Sequence, residues 1–288
     1  MLAAAHISTN HLFILGAIAG LTIFLGLPLG RLRNPAPRLR AGLNAVAIGI
    51  LVFLLFDVLS HANEPVEHAL DAAVNGGGSW WRFAGLGAVF AGGLAAGLVG
   101  LVYYDQWASR PRKTPRRFGP GAAYVEELSP PFGARWSAAQ RLAMLIAVGI
   151  GLHNFSEGLA IGQSAAKGEV SLALMLIVGF ALHNATEGFG IVAPMAAEAE
   201  RPSWGFLFAM GLVGGGPTFL GTVIGRSFVN DTIFLAFLAL AAGSILYVVI
   251  QLLKVAARQG FADLVMWCIF AGLVLGFATD YVLVAAGA

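Results

Sequence analysis

The chain has 288 residues, of which 58% are hydrophobic and only 11% charged, with a mean hydropathy of +0.80 and a formal net charge of +2. Soluble domains carry about 25% charged and about 45–50% apolar residues, so this composition excludes a soluble domain. The small net charge sits in loops that hug a membrane, which argues against a nucleic-acid partner, and the single cysteine, Cys268, rules out a disulfide framework or a thiolate metal cage within one chain.

A helix that crosses a bilayer needs roughly 20 mostly apolar residues. Eight such runs follow one another, at roughly 11–30, 41–62, 83–104, 138–163, 169–197, 204–226, 231–254 and 262–284. No alternating pattern of about ten residues runs through the chain, so a β-barrel is not expected. The fold class predicted is all-α integral membrane, with eight transmembrane helices in a single transmembrane domain over residues 1–288. The first run opens with "MLAAAHISTNHLF", which lacks a basic leader region, and Arg31 and Arg33 follow it. That order predicts a first span that starts outside, not a cleaved signal peptide.

Span two carries Asp57 and His61, four apart and therefore on one helical face near the outer end. They suit either an entrance station that hands an ion inward or an interfacial hydrogen-bonded pair. After them, "NEPVEHALDAAVNGGGSWW" predicts a short amphipathic surface helix ending in an interfacial Trp pair. Span three, with "AGLGAVFAGGLAAGLVG", is rich in small residues that let helix backbones approach closely in lipid. Residues 105–137, with "RPRKTPRRFGPG" and "SPPFG", predict a cytoplasmic loop without a core. Of the 17 Lys and Arg residues, all but Arg82, Lys167 and Arg226 fall on one side of the eight-span arrangement. Positive residues stay cytoplasmic, so both termini are expected to face outward.

Spans four and five contain "GLHNFSEGLAIG" and "ALHNATEGFGIV". In each, His and Glu stand four apart on one face (His153 with Glu157, His183 with Glu187), and Asn154 and Asn184 flank that face. The short link "SAAKGE" makes the two spans antiparallel, so the motifs meet at one depth. A lone acid at the bilayer centre costs roughly 2.5–3.5 kcal/mol on insertion scales, and two facing carboxylates repel or share a proton. A divalent cation held by two carboxylates and two imidazoles removes both problems. That donor set suits Zn²⁺, Fe²⁺ or Mn²⁺ better than Mg²⁺ or Ca²⁺, which prefer all-oxygen shells. A single His–Glu pair serves as interior glue about as often as it serves a ligand. Two copies at one depth favour the ligand. Gly158 and Gly188, without side chains, are expected to let the helices close around the ligands.

At these residues the chain resembles the ZIP family of divalent metal transporters, in its prokaryotic branch: "HNFSEG" and "HNATEG" are similar to that family's signatures on its fourth and fifth spans. The resemblance implies a 3+2+3 arrangement in which two three-helix repeats flank central spans four and five, and one bundle can move against the other. It implies uptake of a divalent metal through a central site of His153, Asn154, Glu157, His183, Asn184 and Glu187, with Asp57 and His61 at the entrance. Family members often carry Pro before the Glu; here Ser156 and Thr186 stand there, and their hydroxyls can bond back to the preceding turn. Many members carry Glu before Pro on span six, but "LVGGGPTFLG" has Gly216 before Pro217, and span seven has Gln251 where an acid is common. These departures predict one main metal site, not two.

The expected function is therefore a secondary transporter, not an enzyme, in the cytoplasmic (inner) membrane, moving a divalent transition metal into the cytoplasm. Zn²⁺ is the first choice and Fe²⁺, Mn²⁺ or Cd²⁺ the alternatives; the metal is cargo, with no resident cofactor. The chain contains no nucleotide-binding motif, so the metal gradient or coupled protons would drive it. The partners expected are the metal ion and the lipid bilayer, with no nucleic acid, and a homodimer is allowed. The rival reading is an intramembrane metal-dependent hydrolase, which lacks an HExxH motif here.

Overall fold

The computed structural model describes residues 8–32, 37–108, 136–166, 168, 170–198, 200–227 and 230–285, and most of the expected 105–137 loop lies outside them. Among the described residues there are eight α-helices and no strand: α1 (Thr9–Leu21), α2 (Pro37–Asn75), α3 (Trp80–Ala108), α4 (Ala138–Ala166), α5 (Val170–Val192), α6 (Trp204–Ser227), α7 (Asp231–Gln259) and α8 (Ala262–Ala285). Counting the turns that extend α1, all eight are long and apolar enough to cross a membrane.

Two elements differ from their sequence-based outlines. The first span is α-helical only to Leu21 and continues as 3₁₀ turns over Thr22–Leu25 and Leu27–Arg31. The cause is local competition for one carbonyl. Ala19 O accepts from Thr22 Oγ1 at 2.7 Å and from Asn184 Nδ2 at 3.1 Å, both outside the helical ladder, and Pro28 then cannot donate to a resumed ladder. In the second span, the stretch expected as a separate surface helix instead continues α2 without a break through Pro65 to Asn75. At 39 residues, α2 is about 58 Å long by its helical rise, well beyond the roughly 30 Å of a hydrocarbon core.

Helix ends elsewhere follow ordinary capping chemistry. Asn230 caps α7 by accepting from the Ile233 amide at 3.0 Å, and Gly260 ends that helix with a positive φ of 76°. Arg31 ties the end of the first span to the start of α6: it donates to the Pro202 carbonyl and lies 4.8 Å from the Trp204 ring centre.

Packing is governed by close backbone approaches at small residues. α4 runs against α6, with Gly158 and Gly162 facing Gly221 and Gly225; α3 meets α7 at Gly97 and Gly243, and α2 meets α8 at Gly49 and Gly272. α1 packs on α5 and α6, while α7 touches α4 and α2 touches α5, which joins α1, α4, α5 and α6 to α2, α3, α7 and α8. Most of these pairings would survive an exchange of α1–α3 with α6–α8 and of α4 with α5. The main apolar core lies where α2, α4 and α7 meet, around Leu54, Ile146, Ile150 and Ile245. In the most apolar stretch of α4, 72% of the residues are buried inside the protein, against 17% for α3 and α8. α4 is thus the innermost helix, and α3 and α8 present their faces outward.

Candidate metal site

The polar cluster grows out of α4 and α5 at the positions their repeated pattern marks. From α4, His153 Nε2 lies 2.9 Å from Glu157 Oε1, one helical turn along the same face. The same ring nitrogen lies 4.0 Å from Glu187 Oε1, which comes from α5. Asn154 closes the group, donating from Nδ2 to Glu187 Oε2 at 3.2 Å. His153, Glu157 and Glu187 are 3%, 5% and 2% exposed, so solvent does not offset their charge or polarity.

The two motif asparagines also tie α4 and α5 to their flanking helices. Asn154 Nδ2 reaches the Gly214 carbonyl of α6 at 3.0 Å, and Asn184 Nδ2 reaches the Ala19 carbonyl of α1 at 3.1 Å. Both acceptors lie where a helical ladder is disturbed: Pro217 denies the Val213 carbonyl beside Gly214 its usual N–H partner, and α1 stops two residues after Ala19. Each amide oxygen, Asn154 Oδ1 and Asn184 Oδ1, is buried with no hydrogen-bond partner among the described residues. A buried acceptor left so is costly, and it is a ready ligand atom for a cation.

His183 lies on α5 within the second motif, but its side chain falls outside the described residues. Asp57 and His61 pair with each other on α2, Oδ1 to Nδ1 at 3.4 Å, with side chains 37% and 62% exposed. Their exposure sets them off from the buried cluster. Ser156 Oγ donates back to the Leu152 carbonyl at 3.3 Å, the bond expected where the pattern lacks Pro.

The expectation for Gly158 and Gly188 needs correction. A Cβ at Gly158 would run into the Thr218 carbonyl of α6, and one at Gly188 into the Ile23 carbonyl of the first span. These glycines seat α4 and α5 against their outer neighbours, not against each other. Gly216, by contrast, has open space around it, and Pro217 sits inside an otherwise continuous α6. Thr218, fully buried with Oγ1 unpartnered among the described residues, was not marked by the sequence reading. Its position directly after Pro217 was the available signal.

Two carboxylates, one imidazole and the Asn154 amide oxygen in a dry setting are hard-to-borderline donors, and a dication among them would bring the local charge to neutrality. Among the described residues no group of three or more His, Cys, Asp or Glu is spaced ready to hold a metal; His153, Glu157 and Glu187 instead hold one another. A cation would have to separate Glu157 from His153 by side-chain rotation.

The family model described as ZIP Zinc transporter matches residues 133–279, just over half of the chain, and these contain both motifs and the whole cluster except its contact with Ala19. No curated protein matches the chain.

Proposed function

Given that the chain belongs to the ZIP zinc transporter family, whose members carry divalent metals, we propose that it moves Zn²⁺ through the cytoplasmic membrane into the cytoplasm by way of the cluster joining α4 to α5. The observation that supports this most directly is the meeting of His153 with both Glu157 and Glu187 in a buried setting. The arriving ion takes over the contacts those groups make with each other. Glu157 and Glu187 supply its countercharge and His153 a neutral nitrogen. Asn154 and Asn184 add side-chain oxygens that have no hydrogen-bond partner among the described residues, and the α5 motif offers His183 as a further nitrogen.

The Lys and Arg distribution supports basic loops in the cytoplasm and both termini outside, and the inward direction follows from the resemblance to metal-uptake carriers of the family. Access to the site changes when α1, α4, α5 and α6 shift against α2, α3, α7 and α8, two sets that touch chiefly along α4–α7 and α2–α5. The three-helix repeats on either side of α4 and α5 supply the walls. The bilayer and, in a homodimer, a second copy of the chain cover the outward faces of α3 and α8. The family match favours transport over intramembrane hydrolysis.

Uptake of labelled Zn²⁺ into proteoliposomes tests the reading. Accumulation is expected, with Fe²⁺, Mn²⁺ and Cd²⁺ competing less well than unlabelled Zn²⁺. Metal binding without accumulation would end the transport reading. Full uptake by Glu157→Ala or Glu187→Ala would instead move the site elsewhere.

A further inference from the structure

A cleft of about 830 Å³ opens between the distal part of α2 and the starts of α3 and α7, away from the transport cluster. Its walls carry Glu64 and His68 from α2, Trp81 and Arg82 from α3, and Asp231 from α7, and they continue down α3 as apolar surface at Leu86 and Val89. Pockets for organic ligands run to about 300–1,000 Å³, so this one has the size for a molecule and not for a bare ion.

Its charges are mixed and on different walls. Arg82 makes no ion pair among the described residues. Glu64 Oε1 lies 3.6 Å from His68 Nε2, with both side chains largely exposed, and Asp231 comes from the opposite helix. The two acids and the imidazole do not form a metal cage among the described residues, and the Arg82 guanidinium in the same cleft would oppose a cation. Trp80 and Trp81 are 58% and 87% exposed. Indoles left open on a membrane protein mark the headgroup layer, which sets the mouth of the cleft at that level and its apolar wall below.

We propose that this cleft binds a phospholipid whose headgroup joins a phosphate to a primary ammonium, as in phosphatidylethanolamine. Arg82 takes the phosphate, Glu64 and Asp231 take the ammonium, and the acyl chains lie along Leu86 and Val89. A primary ammonium donates three hydrogen bonds; a trimethylammonium donates none and satisfies the carboxylates poorly. A headgroup without an amine offers Asp231 nothing and leaves Glu64 only its neighbour His68.

Native mass spectrometry of the full chain, purified in detergent and supplied with one lipid at a time, tests this without metal. Phosphatidylethanolamine is expected to be retained about ten-fold better than phosphatidylcholine or phosphatidylglycerol, the worth of one charge-assisted hydrogen bond. Arg82→Ala, and separately Glu64→Gln with Asp231→Asn, are expected to erase the preference, while Arg82→Lys keeps most of it. Equal retention of the three lipids, a preference for phosphatidylglycerol, or a preference untouched by Arg82→Ala would overturn the proposal. Competition by phosphoethanolamine lacking acyl chains, at equal concentration, would overturn the lipid assignment in favour of a soluble phosphate ligand.

Discussion

Asn154 on α4 donates its side-chain amide to the Glu187 carboxylate on α5 at 3.2 Å, and the same nitrogen reaches the Gly214 carbonyl of α6 at 3.0 Å. One amide thus orients a carboxylate of the cluster and anchors it to the helix outside. Asn154→Ala is expected to lower apparent metal affinity roughly ten-fold or more, the usual effect of losing a group that orients a ligand. It also takes a donor from the buried Glu187 carboxylate, at about 1–3 kcal/mol. Metal titration and thermal unfolding of the purified variant measure the two effects; unchanged affinity would remove Asn154 from the site.

Protons and metal compete for the same oxygens of Glu157 and Glu187. Metal binding displaces protons from protonated carboxylates, so affinity is expected to fall as pH falls. Calorimetric titration in two buffers of different ionisation enthalpy reads the protons released directly. Glu157→Gln is expected to reduce that number, and pH-independent affinity in the native chain would exclude coupling through these groups.

Two neighbouring glycine patterns predict opposite outcomes. At Gly158 a side chain meets the Thr218 carbonyl, so Gly158→Val should force α4 from α6 and cost about 1–3 kcal/mol or prevent folding. At Gly216 nothing lies within 4 Å, and Gly216→Ala should stabilise α6 by up to about 1 kcal/mol from helix propensity alone. Melting temperatures in detergent decide both.

The Asp57–His61 pair is too exposed to hold the fold together, and its removal should change stability by less than about 0.5 kcal/mol. If the pair is an entrance station, Asp57→Ala with His61→Ala raises KM for uptake several-fold and leaves kcat alone. Initial-rate measurements over a range of metal concentrations separate this from an interfacial pair, whose loss changes neither.

Arg31→Ala removes a guanidinium that lies against the Trp204 ring and bonds the Pro202 carbonyl. The expected loss is about 1–2 kcal/mol of stability, with metal affinity unchanged because Arg31 is outside the cluster. A matched fall in affinity would mean that the end of the first span reports to the site.

The eight spans and the two motif positions were legible in the sequence because both depend on what each residue is, not on what it touches. Hydropathy adds up along a segment, and a four-residue spacing puts His153 with Glu157 on one face of any helix that forms there. The partners of the backbone were not legible. Whether Ala19 gives its carbonyl to Asn184 depends on α5 arriving beside α1, and that contact joins the local Thr22 hydroxyl bond where α1 stops at Leu21. Gly158 reads alike whether it clears a path for α5 or for α6; the chain's packing assigned it to α6. The continuation of α2 past Pro65 lies beyond the reach of a span-length argument, since a helix outside the hydrocarbon is limited by its neighbours and not by bilayer thickness. The sequence by itself determined which segments leave water and which polar side chains go with them. Only the tertiary structure decided how those side chains are anchored, because a buried hydrogen bond needs a second element held within about 3 Å.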